Sequence, residues 1–151
     1  MTADDLVDKY PALFASAFPS IGEGWLPLLE TLCSRIELHY KWKEQGGVKI
    51  IEAEEEPPED GKYLHRFYFS QIKEKFRGLR AYSYGGDEYT QGLVDMAEAV
   101  SYHICENCSN AGSEKGEHWI RTLCDPCHDD WENIRETNWQ KEKAFYKNES
   151  R

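Results

Sequence analysis

The chain has 151 residues and a formal net charge of −10, from 18 basic and 28 acidic side chains. That length suits one domain, or a small core domain carrying a further module, and five Trp, nine Tyr and six Phe can fill a real core. The acidic balance argues against general affinity for a nucleic-acid backbone, and no apolar run reaches membrane-spanning length, so no membrane association is expected.

The net charge hides an asymmetry. Residues 1–60 carry 5 basic and 13 acidic side chains, residues 61–85 carry 6 and 1, and residues 86–151 carry 7 and 14. The middle of the chain is a basic island in an acidic protein.

In order, Asp4 to Ser16 reads as a short amphipathic helix with Leu6, Tyr10 and Leu13 on related faces, interrupted by Pro11. Residues 18–24 form a loop. A stronger helix is expected from about Trp25 to Gln45. Pro27 lies in its first turn, Trp25, Leu28, Leu29, Leu32, Ile36 and Tyr40 make an apolar stripe, and Gly46-Gly47 stops it. Cys33 falls on that stripe, where a thiol acts as a small buried hydrophobe rather than a nucleophile.

Val48 to Ala53 reads as a strand, and Glu54 to Gly61 as an acidic, proline-bearing linker or hairpin loop. Two further strands are predicted, about Tyr63 to Phe76 with a break, and Leu79 to Tyr84, joined tightly at Arg77-Gly78. Asp87 caps a helix running to Tyr102, with Leu93, Met96, Ala97 and Val100 as its core face. Trp119 to Leu123 reads as a short strand.

Cys105, Cys108, Cys124 and Cys127 have the spacing C-x2-C-x15-C-x2-C, that of a four-thiolate zinc site. Two residues between cysteines allow a tight turn that aims both sulfurs at one point, and two such turns complete a tetrahedron. One structural Zn²⁺ with a closed coordination sphere is therefore expected. Two disulfides would leave Cys33 unpaired, and no signal-peptide pattern is visible, so reduced thiols in a reducing cytosol are the expectation. Neither pair follows a strand in a βαβ context, as a redox motif would. His103, His118 and His128 flank the site and could substitute for a cysteine, but four thiolates already close the coordination sphere, so supporting or surface roles are expected.

Asp125 is a good N-cap, Pro126 suits a first helical position, and Cys127, Trp131 and Ile134 share one face of the helix that follows. A knuckle paired with a helix N-terminus looks like a treble clef, a fold whose uses span nucleic-acid, protein and nuclease chemistry. The expected class is α+β: a small antiparallel sheet packed with helices over residues 1–102, then a treble-clef-like zinc module with a C-terminal helix over 103–151.

Gly22-Glu23-Gly24-Trp25-Leu26-Pro27-Leu28-Leu29-Glu30-Thr31-Leu32-Cys33, then Ile72-Lys73-Glu74-Lys75-Phe76-Arg77-Gly78-Leu79-Arg80, then the two C-x-x-C pairs occur in one order. Over about residues 18 to 128 this resembles a family of small proteins of tailed bacteriophages and prophages. That family shares a GDGW-type helix start, a KEKFGGLR-type hairpin and a C-terminal C-x-x-C element. Arg77 stands where the family often has glycine, and all four metal ligands are present where many relatives have an incomplete set. The resemblance implies a phage accessory protein in the cytosol of a bacterial host, and supplies no activity.

If Lys73 to Arg77 is extended, alternation places Lys73, Lys75 and Arg77 on one face, with Ile72, Glu74 and Phe76 on the other. Arg80 and Tyr82 can join the basic face, near Tyr68 or Tyr84. Charge holds phosphate and ring faces stack on bases, so the hairpin over 62–84 suits a nucleotide or a single strand. It equally suits an acidic protein surface, or lysines that pair with the chain's own carboxylates and blunt a sheet edge.

Three functions follow. The expected one is a non-enzymatic zinc-binding accessory protein that binds and modulates a host protein, a host defence component being one option. The alternative is nucleotide or nucleic-acid binding by the basic hairpin. The third is a treble-clef metal-dependent nuclease using His118 or His128 with Asp129, Asp130 or Asn133. That reading lacks a complete H-N-H spacing, and Asp129 and Asp130 are explained as helix-start acids, so no catalytic residue is assigned.

Overall fold

Helix α2, Leu26–Gln45, is the axis of the core in the computed structural model, which describes residues 1–149. Its stripe of Leu26, Leu29, Leu32, Cys33, Ile36 and Tyr40 is buried, as the periodicity requires. Helix α1, Ala3–Lys9, packs on it and ends two residues before Pro11, shorter than expected, because proline cannot donate within a helix. Tyr10, Leu13 and Phe14 still reach the core from the turn that follows. Helix α3, Glu88–Ser101, also packs against α2. The architecture is mixed α+β.

The main sheet has the order β1-β4-β5, formed by Pro19–Ser20, Tyr68–Lys75 and Gly78–Tyr84. The β4–β5 pair is the expected antiparallel hairpin, with an irregularity between Phe69 and Gln71. Strand β1 adds in parallel from what reads as a loop, with Pro19 opposite Ile72. Strands β2, Lys49–Ile51, and β3, Tyr63–His65, form a separate parallel pair around the acidic linker. The break expected within residues 63–76 falls at Arg66-Phe67.

The hairpin turn is one residue earlier than the sequence suggests. Lys75 pairs with Gly78, so the two-residue loop is Phe76-Arg77, at φ 51° and 62°. Two successive positive φ values match a type I′ turn, which favours Asn-Gly and strains larger residues. Arg77 is therefore in the loop and does not continue the face that carries Lys73 and Lys75.

The expected core face of α3 is turned by one position. Thr90, Val94, Ala97 and Ser101 are buried, Leu93 and Val100 are half-buried, and Met96 is exposed. The cause is the edge of β5. Ser101 Oγ accepts the Leu79 N–H at 2.9 Å, and Glu98 Oε1 accepts the Ala81 N–H at 3.0 Å. Polar side chains of α3 thus cover strand amides that would otherwise be left unpaired.

The C-terminal module contains a knuckle at residues 104–111, a hairpin of β6, Ser113–Lys115, and β7, Arg121–Leu123, and helix α4, Asp125–Glu149. It is seated on the core rather than tethered to it. The Gly24 N–H donates to the Glu106 carbonyl at 2.8 Å, Trp25 Nε1 donates to the Ile104 carbonyl at 2.8 Å, and Ser109 Oγ donates to the Gly24 carbonyl at 2.7 Å. A Cβ on Gly24 would lie 2.2 Å from the Cys105 carbonyl oxygen, so only glycine admits the knuckle.

Candidate metal centre and adjoining cleft

Two turns deliver the four thiols. Cys105 is anchored by its N–H to the Asn110 carbonyl at 2.7 Å, and its own carbonyl accepts from Ser109 at 3.0 Å. That closes a loop in which Ser109 sits at φ 71° and Cys108 is brought round beside Cys105. Cys124 follows β7 directly, and Cys127 lies in the first turn of α4, which opens with the His128 N–H donating to the Cys124 carbonyl.

The four Sγ atoms lie within 4.8 Å of one another, and Cys108 and Cys124 are 3.6 Å apart. All five cysteines are free thiols. Sulfurs held about 2.3 Å from one tetrahedral ion are separated by distances of this order, so the donor set fits a metal ion as it stands. Asn107 Nδ2 donates to Cys127 Sγ at 3.2 Å, a support of the kind that orients ligands.

The charge environment agrees. Burial opposes a Cys105 thiolate, but the backbone amides of Cys124, Cys108 and Asn107 outweigh it and lower the group to about 7. At Cys124 the Cys127 amide favours the thiolate, yet desolvation and the sulfurs of Cys127, Cys108 and Cys105 push it up to about 12. Four crowded thiols cannot all ionise without a cation between them, and a bound metal supplies that cation. Cys33 is buried away from this cluster, and burial pushes its thiol well above the ordinary range, as expected of an inert core cysteine.

Asp125 does not act as the expected N-cap. The helix already includes it, and its carboxylate accepts from Lys115 Nζ at 2.5 Å, tying β6 to α4. His118 and His128 line one cleft with Glu117 and Glu132. Among the described residues, no second group of three metal-ligating side chains converges.

The basic hairpin residues are divided between two environments. Lys73 and Arg80 are cross-strand partners, and Lys73 Nζ lies 6.0 Å from the Tyr82 ring, so Lys73 and Tyr82 share the outward face. Lys75 lies over Phe76. Arg80 turns to the Tyr102 hydroxyl at 2.5 Å, and Arg77 stacks on the same ring at 4.8 Å while bonding Thr122 and facing Glu114. Two of the four cations are thus engaged within the fold.

Sequence reasoning missed what lies beside them. Phe76, Trp119 and Ile120 are exposed around a cleft of about 510 Å³ that also includes Glu74 and Glu114. Glu74 and Trp119 continue into a second hollow, of about 390 Å³, floored by Glu106 and Arg121. Glu106 is buried and paired with Arg121 through Oε1, while its Oε2 and that of Glu74 are buried without a partner. Burial pushes the Glu106 carboxyl up, against the pull of Arg121. Only folding juxtaposes the hairpin tip with the loop at 116–120, so no local pattern could have signalled this cleft.

No protein-family model matches this chain, and searches of curated proteins and of solved structures find no match.

No helix among the described residues is long and apolar enough to cross a membrane.

Proposed function

We propose that this chain is a non-enzymatic, zinc-binding phage accessory protein that acts in the bacterial cytosol by binding a host protein. The reading is carried by the cleft between the hairpin tip and the metal module. Its exposed Phe76 and Trp119 are 77% and 64% accessible, an unusual investment of large aromatic surface at one place. Aromatic anchors around a desolvated floor are what binding hot spots are made of. Glu106 and Glu114 are paired with Arg121 and Arg77, while Glu74 Oε2 has no partner, so the host protein, a defence component being one option, presents a basic group to Glu74.

Zinc is assigned because a closed four-cysteine sphere suits a filled-shell ion in a structural role, with no open position for water. The metal then shapes the cleft by fixing the loop between the two cysteine pairs.

The test is affinity capture from host lysate followed by native mass spectrometry. One zinc per chain and a stoichiometric host protein are expected, with capture lost in Phe76→Ala and Trp119→Ala but kept in Met96→Ala, a substitution on the exposed side of α3. Capture that ignores both aromatic substitutions would defeat the reading. Nucleotide or nucleic-acid binding would draw instead on Lys73, Lys75 and Tyr82. A phosphate-bearing adduct lost in Lys73→Ala with Lys75→Ala would move the function there.

A further inference from the structure

Helix α4 leaves the body of the protein after its second turn. Every residue from Asn133 to Glu149 is exposed, with Ile134, Trp139 and Phe145 at 60%, 50% and 60%. An isolated helical segment of about this length is marginal in water, and most helices owe their stability to a packed amphipathic face. Ile134 and Phe145 share one face of the helix, uncovered by the chain, while Trp139 lies on another.

Trp131, Asn138 and Phe145 recur every seven residues along α4, with Ile134 and Lys141 at the intervening seam positions. Beside this seam His128, Arg135, Glu142 and Glu149 also recur every seven residues. Their character changes at the middle of the helix, from basic in the first half to acidic in the second. Such a flank repels nothing and pairs fully when it meets its own reverse.

We propose that α4 pairs antiparallel with α4 of a second copy, about a two-fold axis beside the Asn138–Gln140 turn. In that register Ile134 of each helix packs on Phe145 of the other. Arg135, which in its own chain lies over the Trp131 ring and 3.7 Å from Glu132, faces Glu142 of the second copy, a pair formed twice by symmetry. A parallel pair fails on the same residues, because it sets Lys141 against Lys141 in the seam. The helix is about 37 Å long, and the antiparallel arrangement places the two bodies at its opposite ends. The seam shares no residue with the aromatic cleft and does not rest on the host-protein reading.

The seam has few apolar layers, so a reversible dimer with a dissociation constant of about micromolar order is expected. Sedimentation equilibrium of the zinc-loaded full chain from about 1 to about 200 µM spans that range. Arg135→Glu or Glu142→Arg alone should weaken association at least about tenfold, and the two together should restore it. Because these side chains lie outside the core, metal content and core stability should stay unchanged in all three variants. A chain that remains monomeric at about 200 µM would overturn the proposal. So would a double variant that associates no better than the single ones, since a different occupant would then cover α4.

Discussion

Thr122 holds the backbone of Arg77 in place. Its hydroxyl donates to the Arg77 carbonyl at 2.7 Å and accepts from Arg77 Nη1 at 3.3 Å, while Thr122 itself is fully buried in β7. Arg77 is in the left-handed region, and so is Phe76 before it. A non-glycine pair in such a turn costs on the order of 1 kcal/mol per residue and persists where the surroundings over-determine it. Here the strand that leads to Cys124 does so, which couples the hairpin tip to the metal module.

That coupling is measurable. Thr122→Val should cost about 1–2 kcal/mol, because it leaves the Arg77 carbonyl without its donor. Arg77→Gly relieves the positive φ but gives up the contacts to Thr122, Glu114 and Tyr102. A double-mutant cycle on the metal-loaded protein should return a coupling of about 1 kcal/mol between the two sites. Strictly additive effects would mean that the observed bonds do not hold the turn.

Metal removal should act locally before it acts globally. Cys105→Ser or Cys124→Ser, or chelation of the wild type, should abolish hydrogen-exchange protection from Ile104 to Leu123, while the amides in the middle of α2 keep theirs. Metal affinity in such modules is largely folding free energy, on the order of 10 kcal/mol. A serine variant that binds no metal and yet keeps wild-type protection in the knuckle would contradict a structural role for the ion.

Two glycine substitutions should move stability in opposite directions. Gly24→Ala drives a Cβ into the backbone of Cys105, Glu106 and Asn107, at 2.2 to 2.8 Å, and should cost about 3 kcal/mol together with lowered metal affinity. Gly92→Ala meets nothing within 4 Å on the exposed side of α3 and should gain about 0.5–1 kcal/mol. Thermal denaturation of the two metal-loaded variants separates close approach from helix propensity.

Asp87 caps α3 and bonds His39 Nε2 at 2.7 Å, joining α3 to α2. Burial opposes its carboxylate, but the Thr90 amide and His39 outweigh burial and hold the group below its ordinary 3.8. A carboxyl lowered in the folded state contributes stability that is complete above the unfolded value and is lost as pH falls through the folded one. Asp87→Asn should therefore cost about 1 kcal/mol near neutrality, and the difference from wild type should shrink below pH 3.8. A difference that stays constant on acidification would show that the charge contributes nothing.

Local physics made much of this protein readable from its residues. The stripe of α2 was legible because a 3.6-residue period has one buried face, and the four cysteines because metal geometry constrains their spacing. Asp87 was legible as a cap because its partner, Thr90, is three residues away. What depended on partners distant in sequence was not. The turn moved to Phe76-Arg77 because Thr122 fixes it, α3 rotated because β5 needed its amides covered, and β1 formed because β4 offered a free edge. Gly22 and Gly24 read as loop residues, yet their missing side chains are what lets the knuckle sit on the core. The sequence by itself determined the helices, the hairpin and the ligand set, since each follows from residues a few positions apart. Only the tertiary structure decided that Arg77 and Arg80 turn inward and that Phe76 meets Trp119 across a cleft, because those outcomes depend on which surfaces the folded chain brings together.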